Sequence, residues 1–142
     1  MGLDNGITLK VKHKIDIDDW RIKPDYVKFP FDVEKKKDGW LEYDICYWRK
    51  CWDVRRKILG ILGIPNNDGG GIYRIEKPSE IYEIREVLID FLRNPERWSD
   101  SIWSLDEYIE CLSQQIVNLG WLYEYMHEHK GENIKVEFYD SY

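Results

Sequence analysis

The chain has no apolar run approaching the roughly 18 residues of a membrane-spanning helix, so no membrane partner is expected. Its opening, MGLDNGITLK, lacks the basic segment and apolar core of a secretory signal, and Gly6 stands where an acylation motif wants Ser or Thr. Cysteine is scarce. Cys46, Cys51 and Cys111 are an odd number that cannot all pair within one chain, which fits free thiols and a cytoplasmic location. Repeats, low-complexity tracts and linkers are absent too, so residues 1–142 read as one domain.

Signatures of chemistry are equally sparse. There is no Gly-x-Ser-x-Gly elbow, and no Cys/His pair follows from spacing. Cys46 and Cys51 are spaced five apart across a strand-to-helix junction, unlike a zinc pair. His127 and His129 diverge by about 200° on a helix. Asp16, Asp18 and Asp19 lack the full spacing and terminal Glu of a calcium loop. Gly69-Gly70-Gly71 precedes a strand and no Lys-Ser or Lys-Thr follows it, so it reads as a turn and not as a phosphate loop. Hence no catalytic residue, metal site or cofactor is expected.

Charge and aromatics are what the chain does have. The net charge is −6, with +3 on residues 1–60 and −9 on residues 61–142. Such a balance argues against sequence-independent binding of duplex nucleic acid. Seven tryptophans and ten tyrosines supply a core, an interface or a stacking site.

Periodicity sorts these residues into elements. Gly6–His13 alternates, with Ile7, Leu9, Val11 and His13 opposite Thr8, Lys10 and Lys12, which predicts a half-buried strand. A short helix is expected near Ile17–Ile22 within an otherwise irregular stretch reaching Asp38. Trp40–Cys46 alternates again, Leu41, Tyr43 and Ile45 opposite Trp40, Glu42, Asp44 and Cys46. From Tyr47 to Leu62 the period becomes helical. Ile72–Lys77 reads as a strand, and Ser79 as the cap of a helix that Asn94-Pro95 stops. Ser104-Leu105-Asp106-Glu107 is a capping box opening a helix over Leu105–His129, and Ile134–Tyr139 is a last strand. The order predicts an α+β fold: a mixed sheet of about four strands with three main helices packed on one face.

The segment YWRKCWDVRRK, Tyr47–Lys57, holds five cations and three aromatics in eleven positions. Helical phase puts Arg49, Lys50, Arg56 and Lys57 on a solvated side but Arg55 inside the apolar arc, beside Trp48 and Trp52. A guanidinium there needs a partner. Either it forms a structural ion pair with Asp44 or another acid, or Trp48, Trp52, Arg55 and Asp44 line a pocket for an anionic ligand. On the long helix, Leu105, Tyr108, Ile109, Leu112, Ile116, Leu119, Tyr123 and Met126 make the main stripe. Val117, Trp121 and Tyr125 lie nearly opposite, as a second buried layer or a partner surface.

Three islands, MGLDNG, EYDICYWRK and VEFYDSY, resemble a family of small phage and prophage proteins. Its members open with MGLD and a strand, carry a Gly-Tyr-Trp-Arg-Lys junction, and end on an aromatic strand with Ser nearby. Here Cys46 stands where glycine is common, and Asn5-Gly6 differ from the usual start. The resemblance implies a phage or prophage source and a cytoplasmic life in the host, and carries no catalytic residues with it. The expectation is therefore a non-enzymatic accessory protein that binds a host protein or small anionic ligand, antagonism of a host defence being one role that suits it. A nucleotide-handling enzyme or sponge built on Arg55 is the alternative. A structural or regulatory homo-oligomer packed through Trp121 is the third.

Overall fold

A computed structural model of the chain describes residues 4–12, 33–37, 39–49, 52–65, 70–94, 105–129 and 134–141, with the backbone alone at 33–37, 49 and 105–111. The elements in chain order are β1 (Asp4–Lys12), β2 (Val33–Lys37), β3 (Trp40–Arg49), α1 (Trp52–Leu62), β4 (Gly71–Arg74), α2 (Pro78–Arg93), α3 (Leu105–Glu128) and β5 (Ile134–Ser141). The helix expected near Ile17–Ile22, His13, the aspartates 16, 18 and 19, and the Ser104 cap lie outside the described residues.

The α+β expectation holds: one sheet, with three helices. The sheet has five strands in the order β2-β3-β1-β5-β4, and each pairing is antiparallel where a mixed sheet of about four was expected. The additional strand is β2. It forms a hairpin with β3 in which Lys37 pairs with Trp40, and Gly39 takes the positive φ of 82° that the tight connection requires.

β1 is the central strand, and its alternation sets the two faces of the sheet. Ile7, Leu9 and Val11 are buried beneath the helices. Register places them beside Phe138, Val136 and Ile134 of β5 and beside Cys46, Tyr43 and Leu41 of β3. Burying each large apolar side chain contributes about 1.5–3 kcal/mol, enough for this face to fix the register.

A β-bulge interrupts the match of β1 to β3. Ile7 pairs with Cys46 and Thr8 with Asp44, leaving Ile45 as the extra residue. The bulge flips the phase of β3, so Ile45, Cys46 and Trp48 are all buried while Tyr47 is exposed. Side-chain amides of α3 reach the bulged backbone: Gln115 Nε2 donates to the Tyr47 carbonyl at 2.7 Å, and Asn118 Nδ2 to the Ile45 carbonyl at 2.9 Å.

The bulge also corrects the expected start of α1. Tyr47 and Trp48 belong to β3, which continues to Arg49, and the helix begins at Trp52. Backbone pairing of Asp4 to Arg49 holds these residues extended. Likewise α2 starts earlier than Ser79: Lys77 is its N-cap, Pro78 fills the first turn, and the Lys77 backbone N–H donates to Glu80 Oε1 at 3.0 Å. Asn94 ends it, its backbone N–H donating to the Asp90 carbonyl at 2.9 Å.

Candidate binding face

Arg55 lies on the buried side of α1 and is 2% exposed. Its Nε donates to Asp140 Oδ1 at 2.9 Å and Oδ2 at 3.0 Å, and Asn5 Nδ2 donates to the same Oδ1 at 2.5 Å. Register supplies the reason, because Asn5 pairs with both Asp140 and Trp48 at the end of the sheet. The acid beside Arg55 is thus Asp140 of the last strand.

The four residues expected to line a ligand pocket do not converge. Trp48 is wholly buried in the core, Arg55 is locked to Asp140, and Trp52 is 38% exposed with its ring centroid 5.9 Å from the guanidinium carbon. Asp44 is exposed on the opposite face of the sheet, where it pairs in register with Thr8. The network is therefore a structural clamp joining α1, β1 and β5, whose charges sit in a low-dielectric interior only because they meet each other. Arg56 and Lys57 face solvent, Arg56 paired to Asp53 one turn earlier.

The stripe on α3 splits along its length. Tyr125 is buried, Trp121 half-buried and stacked on it at 5.0 Å between centroids, and Val117 is 63% exposed. His127 and His129 contact different rings, Tyr123 and Tyr125.

The sheet face away from the helices is polar and carries charge of both signs. Its central residues are small, Gly6 and Thr8, and larger side chains rise on the flanking strands. The result is a trough of about 310 Å³ lined by Thr8, Lys10, Glu42, Asp44, Glu137 and Tyr139, with the 66% exposed Ile72 on one wall. The Tyr139 ring lies across Gly6, where any Cβ would overlap its hydroxyl. Burial first, then the Asp44 carboxylate, pushes the Tyr139 phenol above its ordinary range. Tyr47 donates to Asp4 Oδ1 at 2.7 Å at this same end.

The other end of the face is cationic. The Trp40 ring, half-buried, has the Lys135 ammonium 4.5 Å and the Lys12 ammonium 5.2 Å from its centroid. Lys12 is the register partner of Trp40 on β1, and Lys37 its partner on β2. In the next row Lys35 pairs with Glu42, Glu42 with Lys10, and Lys10 with Lys135. Lys10 is held by Glu137 at 2.6 Å. Two lysines directly opposite on neighbouring strands destabilise a sheet, and here an ion pair and an aromatic ring offset that cost.

The face therefore has an acidic, tyrosine-lined end and a basic end centred on one tryptophan. The signal for it was the polar half of each alternation: Lys10 and Lys12 on β1, Trp40 and Glu42 on β3. No helix among the described residues is long and apolar enough to cross a membrane. Compared with family models, with curated proteins and with solved structures, the chain matches none.

Proposed function

We propose that the chain is a non-enzymatic binding protein that takes an anionic partner on the basic end of its open sheet face. The observation that carries this reading is the Trp40 ring flanked by the Lys12 and Lys135 ammonium groups. Cations gathered around an aromatic plane supply binding energy without any group poised to make or break a bond. The likeness to phage and prophage proteins supports a setting in the cytoplasm of an infected bacterium, with a host factor or small anionic ligand as the partner. Antagonism of a host defence fits that setting.

The test compares two double variants of equal charge. Lys12→Gln/Lys135→Gln and Arg56→Gln/Lys57→Gln each remove two cations, from the sheet face and from α1 respectively. Inorganic polyphosphate titrated calorimetrically should bind the wild type and the α1 variant alike and bind the sheet-face variant at least 10-fold more weakly, since each lost phosphate contact costs about 1 kcal/mol or more. Equal losses in both variants would reduce the effect to net charge and overturn the proposal.

A second reading, self-association, rests on Val117, which is 63% exposed beside the half-buried Trp121. Under it Val117→Glu lowers the molecular mass in solution.

A further inference from the structure

Resting on that reading, we infer that the anionic partner is single-stranded nucleic acid, with a base stacked on Trp40 and its phosphates on Lys12, Lys135 and Lys10. Three observations converge on this chemistry.

The first is the aromatic plane. A polyanion of carboxylates or sulfates needs only cations, whereas the basic end of this face is built around an indole that two ammonium groups approach within 4.5 and 5.2 Å of the ring centroid. The Lys135 ammonium, resting on a partly exposed ring, gains only about 0.5–1 kcal/mol there. It can move to a phosphate at small cost and open ring surface to an incoming base. Base stacking on an aromatic side chain is worth about 1–3 kcal/mol, so the exchange favours the bound state.

The second is the arrangement in register. Lys37, Trp40 and Lys12 form one row across three strands, and Lys35, Glu42, Lys10 and Lys135 the next across four. Lys12 stands beside the ring in its own row and Lys10 and Lys135 stand in the next, so described cations continue from the ring along the sheet, as a backbone leaving a stacked base requires. Duplex DNA has its bases stacked internally and offers no free π-face to Trp40, so this geometry discriminates between the two forms.

The third is the charge beyond the basic end. Asp44 lies four residues along β3 from Trp40, roughly 14 Å at about 3.4 Å per residue. A strand extending that far would meet Glu42, Asp44 and Glu137 around the trough. The face therefore accepts a short stretch, about two or three nucleotides. At about 0.15 M salt the Debye length is about 8 Å, so the acidic residues of α2 and α3, across the sheet layer, weigh less than the lysines at hand.

The experiment uses the full chain and short synthetic strands. A trinucleotide with 2-aminopurine at its centre is titrated by fluorescence and anisotropy. An abasic trimer, ATP, a poly-glutamate peptide and duplex DNA form the other arms. The expected result is quenching of 2-aminopurine, with the abasic trimer bound at least 5-fold more weakly. Trp40→Leu should lower the affinity for the base-bearing strand to that for the abasic one, and Trp40→Phe should fall between. Affinity should decline with salt at a logarithmic slope of about −1.4, from about −0.7 for each of the trimer's two phosphates.

Equal affinity for the abasic trimer would overturn the stacking inference while leaving anion binding in place. So would poly-glutamate binding as tightly as the strand, which would make the partner an acidic protein segment. ATP binding as tightly as the trimer would make it a free nucleotide. Failure of polyphosphate and every strand to bind would remove the proposed function itself. The abasic comparison is made on wild-type protein, so it stands even if a Trp40 variant fails to fold.

Discussion

Replacing Arg55 by Met keeps an unbranched stem of similar length and deletes only the guanidinium. Asp140, its side chain fully buried, then has the Asn5 amide near it but no countercharge from α1. Breaking a buried pair from one side costs about 3–5 kcal/mol, because the remaining charge is left desolvated. A domain of this size has about 5–15 kcal/mol in all, so the variant should sit near the edge of folding. With a urea slope of about 2 kcal/mol/M, the midpoint should fall by about 2 M, read by circular dichroism and tryptophan fluorescence together. The double variant Arg55→Met/Asp140→Leu should recover most of that loss, keeping a deficit of about 1 kcal/mol from the Asn5 amide that has lost its acceptor. A midpoint for Arg55→Met as unmoved as that of a surface variant would refute the clamp, and so would a double variant no better than the single one.

Arg56→Gln and Lys57→Gln, both on the exposed side of α1, should each change stability by no more than about 0.5 kcal/mol in the same urea titration. Gly6→Ala should drive its Cβ into both the Tyr139 ring and the Cys46 carbonyl of β3, disturbing the strand pairing and costing about 3 kcal/mol or more, seen as a lower melting temperature. Because the Tyr139 phenol holds its proton more tightly in the fold, its contribution is fully present below the ordinary tyrosine pKa of about 10 and is lost as pH rises from there. Stability of the wild type should therefore drop more steeply in alkali than that of Tyr139→Phe, and parallel curves would contradict this. Duplex DNA should show no tight binding at about 0.15 M salt, and a sub-micromolar, salt-sensitive affinity would overturn that expectation.

How far the sequence reveals the molecule depends on whether an element's signal is local. Strands β1 and β5 alternate without interruption, and α2 and α3 carry long apolar stripes, so each is legible from periodicity alone. The buried position of Arg55 follows from helical phase, whereas its partner does not. Asp140 is 85 residues away, and only the register of β5 against β1 brings it there. The end of β3 misleads because the bulge at Ile45 places two consecutive residues, Ile45 and Cys46, on the buried side. The apolar run Ile45, Cys46, Tyr47 and Trp48 then imitates a helical arc. Strand β2 is hidden by its own composition, VEKKK, which has no apolar alternation, although Asp38-Gly39 before Trp40 is a hairpin signal. The basic end of the open face shares that cause. Lys12, Trp40 and Lys135 are 28 and 95 residues apart in the chain, and three strands in register make them neighbours.

The central claim is that binding takes place on the open sheet face and not at the arginine-rich helix. Nuclear magnetic resonance separates the two directly, because Trp40 and Trp52 mark them with distinct indole N–H signals. Adding a short single-stranded oligonucleotide to the labelled protein should shift the Trp40 indole together with the amides of Lys12 and Lys135, and leave the Trp52 indole and the amides of α1 in place. Shifts centred on Trp52 and α1, or shifts spread evenly over the surface, would contradict the account.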